Sequence, residues 1–232
     1  MNNKRNICNA KLTGILGTLD ELYPFDFKCF LNYREPWQLL IATILSAQCT
    51  DERVNIVTKK LFKKYPSLHD FAAADFDILS EDVRSTGFFR MKAKHIIGTA
   101  GMLLDLHQGQ LPADIGSLTA LPGVGRKTAN VVRGHIFRIP SIVVDTHVMR
   151  VSFKLGLTQY KDPVKIEFEL MDVLPEERWI AYNQQIISHG RICCTARSPK
   201  CGECKLAVFC ANSPSIVSDK SKKTQVSQVR RR

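Results

Sequence analysis

The sequence lacks a hydrophobic run long enough to cross a membrane. Its longest apolar stretch lies in residues 37–47 and is interrupted by Gln38, Thr43 and Ser46. That is shorter than the roughly 20 apolar residues that a membrane-spanning helix needs. The first five residues end in Lys4 and Arg5, but no apolar core of a secretory signal follows them. We therefore expect a cytoplasmic protein in a reducing compartment, with no membrane partner.

Signals for β-strands are also scarce, and no internal repeat is evident. Only residues 139–144 form a short, largely β-branched run, and one such segment does not make a sheet. Elsewhere apolar residues recur at helical spacing between prolines, glycines and acidic caps. The pattern predicts an all-α fold. The predicted helices are 36–45, 51–65, 75–83, 92–106, 126–137, 146–155, 163–174 and 176–189.

Acidic residues are too few to balance the basic ones, so the formal net charge is +11. Residues 213–232 hold six basic residues and one acidic residue, a net charge of +5, which leaves +6 on residues 1–212. A basic tail of this kind is often a solvated, disordered end. The charge on the body favours a polyanionic partner, although many basic proteins bind no nucleic acid.

Cysteine is abundant, and its distribution argues against a disulfide framework. Three of the eight cysteines are scattered, whereas the other five crowd into residues 193–210. Without an export signal, such crowding indicates a metal site before disulfides. Four of them follow a 6-2-5 spacing and would bind zinc or an iron–sulfur cluster. These four are Cys194, Cys201, Cys204 and Cys210. A zinc ribbon usually has two similar pairs of cysteines, and this segment has one.

A short glycine-rich turn at residues 121–125 separates two predicted helical stretches. Gly123 and Gly125 allow positive φ angles and leave backbone amides uncovered by side chains. The next helix begins at Arg126, so its free N–H groups and positive dipole end point to the same place, where an anion fits. A turn of this kind alone would more often be a ligand-free connection. The basic residues Arg126 and Lys127 favour the anion site.

Lys127 and Asp145 each lie at the start of a predicted helix. A lysine amine is nucleophilic only when unprotonated, and the free side chain has a pKa of about 10.4. A positive helix end and a neighbouring cation such as Arg126 favour the neutral amine. On the residues alone, Lys127 is better interpreted as a surface or phosphate-contacting lysine. Asp145 is likewise better interpreted as a helix N-cap.

Four motifs together resemble the endonuclease III family of helix-hairpin-helix DNA glycosylases with lyase activity. They are SAQCTD at 46–51, LPGVGRKTAN at 121–130, VDTHV at 144–148 and the 6-2-5 cysteine pattern. The resemblance spans roughly residues 10 to 212. It implies that Lys127 forms a Schiff base with the sugar. Asp145 would then stabilise the cationic sugar and assist proton transfer. It also implies a [4Fe–4S] cluster held by Cys194, Cys201, Cys204 and Cys210, with Cys193 as a neighbouring non-ligand.

The resemblance implies further DNA contacts. A glycosylase extrudes its target nucleotide and fills the gap left in the stack, and in this family a glutamine and an apolar loop residue do so. Gln48 matches the glutamine and Phe88 the apolar residue. The alternative for Gln48 is an ordinary polar residue at a helix end, and the alternative for Phe88 is a core aromatic. His147 is either a phosphate contact or a structural histidine. The hairpin residues expected to bind DNA are Gly123, Gly125 and Arg126.

The family architecture is two helical domains flanking a DNA-binding cleft. By resemblance, residues 29–139 form a six-helix domain with the hairpin, residues 1–28 and 140–212 form the iron–sulfur domain, and residues 213–232 form a basic disordered tail. The implied activity removes oxidised pyrimidines from duplex DNA and then nicks the abasic site by β-elimination. The implied partner is double-stranded DNA with damaged bases or abasic sites, bound by a monomer that is nucleoid-associated if bacterial.

Other functions remain open at this stage. A monofunctional relative would excise a mispaired base, but such members often lack a lysine at the position of Lys127. A non-catalytic iron–sulfur DNA-binding protein would use its cluster as a scaffold or redox sensor, and the pair of Lys127 and Asp145 argues against it. A small electron carrier would leave the hairpin unexplained.

Deleting residues 213–232 should weaken DNA binding mainly at low salt, because the tail's charge of +5 acts by releasing counterions from DNA. Dissociation constants measured by fluorescence anisotropy over a range of salt concentrations, for the full and truncated chains, check this. An equal loss of affinity at every ionic strength would argue against an electrostatic role.

Overall fold

The computed structural model describes residues 8–27 and 29–211, and the predicted tail at 213–232 lies outside them. These ranges contain eleven α-helices and four short 3₁₀ turns but no β-strand, which confirms the all-α prediction. No helix within them is long and apolar enough to span a bilayer. The chain divides into two compact units. One is Phe27–Ser141, and the other comprises the described residues of Met1–Asp26 and Ile142–Arg232.

The helices follow one another along the chain with short connections. They are α1 (Asn9–Leu22), α2 (Pro36–Leu45), α3 (Asp51–Lys64), α4 (Leu68–Ala72), α5 (Phe76–Asp82), α6 (Phe89–His107), α7 (Ile115–Ala120), α8 (Arg126–Ile136), α9 (Thr146–Leu155), α10 (Pro163–Val173) and α11 (Trp179–Ile192). The eight predicted helices are confirmed with ends that agree within three residues. Described residues of the unit Phe27–Ser141 contain seven α-helices rather than the implied six. Two of them, α4 and α7, are too short to give a helical period in the sequence.

Helix α2 is the central helix of the unit Phe27–Ser141. All its side chains from Leu39 to Leu45 are buried, because α3, α6 and α8 pack around it. A helix that is apolar on every face is stable only when enclosed in this way. At its start, the Gln38 side-chain oxygen accepts hydrogen bonds from the backbone N–H groups of Arg34 and Glu35, at 2.8 and 3.2 Å. Residues of the first helical turn thereby fix the entry of the chain.

The second unit is held together by α1, which packs against α11. Asp20 near the end of α1 accepts hydrogen bonds from Arg178, at 2.6 and 2.9 Å, and from Gln185, at 2.8 Å. Deeper in this unit, the buried hydroxyl groups of Ser152 and Tyr182 lie 2.7 Å apart and join α9 to α11. The N-terminal helix is therefore part of the same core as the C-terminal half of the chain.

The 3₁₀ turn Lys205–Phe209, which lies between two of the clustered cysteines, also packs against α1. The contact is closest at Gly14, where an added Cβ atom would lie 2.5 Å from the ring of Phe209, so a larger residue there would require the ring to shift. One helical turn further on, a Cβ atom at Gly17 would meet nothing within 4 Å. The two glycines of α1 therefore occupy opposite environments on one helix.

Gly14→Ala and Gly17→Ala should shift stability in opposite directions. Alanine is favoured over glycine in a helix interior by about 1 kcal/mol, so Gly17→Ala should raise the free energy of unfolding by roughly that amount. Gly14→Ala has the same propensity gain but forces the Phe209 ring to move, and overpacking costs about 1–3 kcal/mol. Urea denaturation of both variants measures the difference. Equal stabilisation by the two substitutions would contradict the packing of α1 against this turn.

Candidate functional site

The predicted site residues are distributed over both units. The unit Phe27–Ser141 contains Gln48, Phe88, Gly123, Gly125, Arg126 and Lys127. The other unit contains Asp145, His147, Cys194, Cys201, Cys204 and Cys210.

The hairpin between α7 and α8 is held in place by buried side chains and hydrogen bonds. Leu121 and Val124 are buried, and the Val124 N–H donates to the Leu121 carbonyl at 3.1 Å. The Thr99 hydroxyl of α6 donates to the Pro122 carbonyl at 2.8 Å. Gly123 has a φ of 74°, and a Cβ atom there would lie 2.5 Å from the His95 ring. Only glycine meets both conditions.

Lys127 is exposed in the first turn of α8, whose N-cap is Gly125. A Cβ atom at Gly125 would meet nothing within 4 Å, so the backbone at this helix start is open on that side. The first N–H groups of an α-helix have no partner within the helix and carry the positive end of its dipole. The hairpin thus combines uncovered amides, the neighbouring Arg126 and a solvent-accessible lysine, which is an arrangement suited to an anionic ligand.

Gln48 and Phe88 are exposed on loops of the same unit. Phe88 is 65% exposed, so its interpretation as a core aromatic is wrong. It precedes α6, and Gln48 lies between α2 and α3. Both residues have left-handed backbone conformations, with φ angles of 54° for Gln48 and 48° for Phe88. Such conformations cost a non-glycine residue of order 1–3 kcal/mol and persist only where the surroundings enforce them.

Asp145 is the N-cap of α9, as its position before that helix predicts. Its Oδ1 accepts a hydrogen bond from the Val148 N–H at 2.7 Å. The extended residues before it are anchored in the same unit, since the Val143 N–H donates to the Asn183 side-chain oxygen at 3.1 Å. The capping bond uses Oδ1 of the half-buried carboxylate. The aspartate can therefore cap α9 through Oδ1 while Oδ2 interacts with a different group.

His147 is the second residue of α9 and contacts Arg150. Its Nδ1 is 3.1 Å from an Arg150 Nη atom, and the ring packs so closely on Gly190 that a Cβ atom there would lie 2.7 Å from Nδ1. These contacts favour the structural interpretation of this histidine. Its contact with a phosphate stays a prediction.

Arg150 is a site residue that the sequence reasoning missed. Its guanidinium donates to the Cys194 carbonyl at 2.8 and 3.2 Å and to the Gly190 carbonyl at 3.0 Å. The helix that Asp145 caps is thereby tied to the start of the cysteine segment. An isolated arginine on a predicted helix gives no signal of such a contact, because the Gly190 and Cys194 carbonyls lie 40 and 44 residues away in the chain.

All five cysteines of the segment line one cavity of about 40 Å³. Besides the predicted ligands Cys194, Cys201, Cys204 and Cys210, the lining includes Cys193, which the sequence analysis set aside as a neighbour. The thiols of Cys193 and Cys204 and a ring nitrogen of His189 lie within 4.8 Å of one another. A set of thiols around one cavity fits a metal cluster, and the donor chemistry admits either iron–sulfur or zinc.

The thiols of this cavity are also held by neighbouring polar groups. The Cys204 sulfur lies 3.6 Å from His189 Nε2, whose other ring nitrogen lies 3.1 Å from the Tyr23 hydroxyl. Burial, together with the nearby Cys193, raises the pKa of the Cys204 thiol to about 11. A thiol in this environment favours its protonated form, and a metal would supply the charge that stabilises the thiolate.

Comparison with known proteins gives family matches for two stretches of the chain. Residues 41–176 match the model of the HhH-GPD superfamily of base excision DNA repair proteins, and residues 194–210 match the iron–sulfur binding domain of endonuclease III. The chain belongs to the endonuclease III family. The family match confirms the iron–sulfur prediction and decides it against zinc.

Curated endonuclease III proteins are similar over most of their length. The chain is 49% identical to endonuclease III of Synechocystis sp., over 88% of this chain and 93% of that protein. It is 43% identical to endonuclease III of Bacillus subtilis, over 84% of this chain and 89% of that protein. At these identities and coverages, the chain and these two relatives belong to one family.

Solved structures lead to the same family. A non-covalent endonuclease III–DNA complex superposes with a TM-score of 0.86 at 42% identity, covering 91% of this chain and 99% of that chain. A trapped covalent endonuclease III–DNA intermediate gives 0.85 at 42% identity, covering 90% and 98%. A thermostable thymine-DNA glycosylase is 23% identical with a TM-score of 0.76, covering 88% and 96%, and supports the fold alone.

Proposed function

We propose that this chain is a DNA glycosylase and abasic-site lyase of base excision repair. Its proposed substrates are oxidised pyrimidines in duplex DNA, on which it acts as a monomer. The observation that carries the proposal is the exposed Lys127 at the first turn of the hairpin helix, within a chain of the endonuclease III family. A related endonuclease III has been trapped as a covalent intermediate with DNA, which supports a nucleophilic amine at this position.

The proposed reaction begins when DNA binding positions a phosphate against the hairpin. Backbone amides near Gly123 and Gly125 and the guanidinium of Arg126 would hold that phosphate. Gln48 and Phe88 would fill the gap left by the extruded nucleotide. This contact with the DNA backbone takes no part in bond breaking, but it brings the deoxyribose to Lys127.

The neutral amine of Lys127 then attacks C1′ of the sugar. A C–N bond to Lys127 forms while the bond from C1′ to the base breaks, and the base leaves with a proton. Opening of the sugar ring gives a Schiff base. Removal of a proton from C2′ then expels the 3′ phosphate by β-elimination, and water releases the sugar fragment from the lysine. The reaction needs no external oxidant or reductant.

Asp145 is the proposed partner of Lys127 in this reaction. Its carboxylate would stabilise the positive charge that develops on the sugar as the base departs and would assist the proton transfers. Its capping bond supports this role, because a side chain fixed by the Val148 N–H loses little freedom when it acts on substrate.

The iron–sulfur cluster is proposed to be structural in base removal, with Cys194, Cys201, Cys204 and Cys210 as its ligands. When bound, the cluster cross-links a segment that otherwise contains only short 3₁₀ turns. Exposed basic side chains of this segment would then be presented to the DNA backbone. They are Arg197, Lys200 and Lys205.

Lys127→Ala should abolish covalent trapping by borohydride on DNA that contains an abasic site, because no amine is left to form the Schiff base. Strand nicking should be lost with it, while DNA affinity measured by anisotropy stays close to that of the parent chain. Lys165→Ala, which removes another exposed lysine from α10, is the matched control and should trap normally. A Lys127→Ala protein that still cross-links would refute the assigned nucleophile.

Cys201→Ser should produce a colourless protein with little iron, because the cluster loses one of its four proposed thiolates. Cys193→Ser is the matched control on the same cavity and should stay brown with full iron content. Visible absorbance and metal analysis of both variants give the answer. Loss of iron from Cys193→Ser would overturn the ligand set, and stoichiometric zinc in the parent chain would overturn the cofactor.

A further inference from the structure

Lys92, in the first turns of α6, is a buried lysine that the reaction described above does not use. It is only 3% exposed. Its ammonium group donates hydrogen bonds to the Leu45 carbonyl at 2.8 Å and to the Thr86 carbonyl at 2.7 Å. Both contacts are to backbone oxygens. Burial desolvates the ammonium group and lowers the pKa of Lys92. Burying an ammonium group is costly unless its donors are satisfied in this way.

The two carbonyls belong to the stems of two different loops. Leu45 is the last residue of α2, and Gln48 follows it by three residues. Thr86 is the last residue of the 3₁₀ turn Arg84–Thr86, and Phe88 follows it by two residues. One ammonium group therefore bridges the stem of the Gln48 loop and the stem of the Phe88 loop, within a single compact unit.

Both loops also carry backbone strain close to the bridged carbonyls. Gln48 and Phe88 are left-handed, and Gly87 between Thr86 and Phe88 has a φ of 70°. Left-handed conformations of non-glycine residues persist only when the surrounding structure holds them. Carbonyls at the end of a helix lack partners within that helix and interact favourably with a cation. The ammonium of Lys92 satisfies both stems at once.

We propose that Lys92 is a positioning residue. Its ammonium group fixes the spacing of the two loops that present Gln48 and Phe88, and the protein needs that spacing to open the DNA duplex. This inference rests on the proposed function, in which those two side chains fill the gap left by the flipped nucleotide. Loss of the ammonium would remove this donor from the Leu45 and Thr86 carbonyls at once, and a buried acceptor without its donor costs free energy.

Lys92→Met tests the proposal, because methionine keeps the unbranched stem but donates no hydrogen bond. Lys94→Met, which changes an exposed lysine of the same helix, is the matched control. The first readout uses a duplex with 2-aminopurine opposite a tetrahydrofuran abasic analogue. Insertion of side chains unstacks the reporter base and raises its fluorescence. At protein concentrations that anisotropy shows to be saturating, Lys92→Met should give a clearly smaller rise than the parent chain and Lys94→Met the full rise.

The second readout separates duplex opening from sugar chemistry. Excision of thymine glycol from duplex DNA at saturating enzyme should fall about 10- to 100-fold in Lys92→Met, the loss expected when reacting groups are misplaced by about 1 Å. Borohydride trapping on a single-stranded abasic oligonucleotide, which needs no nucleotide flipping, should stay within about threefold of the parent chain. A selective loss on duplex DNA supports the positioning role.

Two results would overturn the proposal: parent-like fluorescence and excision in Lys92→Met, or an equal loss on duplex and single-stranded substrates. Thermal unfolding identifies a variant that fails to fold. In that case Lys92→Gln, which keeps an amide donor for one carbonyl, is judged by the same criteria. Failure of the proposed function is distinguishable, since the parent chain itself would then neither excise thymine glycol nor trap on abasic DNA.

Discussion

The hairpin before α8 depends on a residue without a side chain at position 123. The backbone there has a φ of 74° and approaches the His95 ring so closely that a Cβ atom would lie 2.5 Å from it. Two residues further on, Gly125 is the N-cap of α8, and Lys127 is exposed in the first turn of that helix. The uncovered backbone amides, the positive end of the helix dipole and the lysine therefore lie together at one helix start.

Two buried or half-buried cations of this chain donate hydrogen bonds to backbone carbonyls. Lys92 bridges Leu45 and Thr86, and Arg150 bridges Gly190 and Cys194. Each cation connects segments that carry proposed functional residues: the two gap-filling loops for Lys92, and α9 with the cysteine segment for Arg150. Hydrogen bonds to a charged group are stronger than neutral ones. They therefore fix loops that have little regular structure of their own.

The sequence predicted local features better than contacts between distant segments. The apolar run at 36–45 is a buried central helix, and Asp145 caps α9, because both features follow from neighbouring residues. The helices α4 and α7 were not predicted, because helices of 5 and 6 residues are too short to show a hydrophobic periodicity in the sequence. The carbonyl contacts of Lys92 and Arg150 were not predictable, because they depend on residues far apart in the chain. Cys193 was set aside by spacing, yet its thiol lines the cysteine cavity.

The central claim is that the amine of Lys127 forms the covalent bond to DNA, and mapping that bond tests it most directly. The parent chain is trapped by borohydride on abasic-site DNA, digested with nuclease and protease, and analysed by mass spectrometry for the lysine that carries the reduced sugar fragment. The account predicts the adduct on Lys127. An adduct on any other lysine or on the N-terminal amine would contradict it.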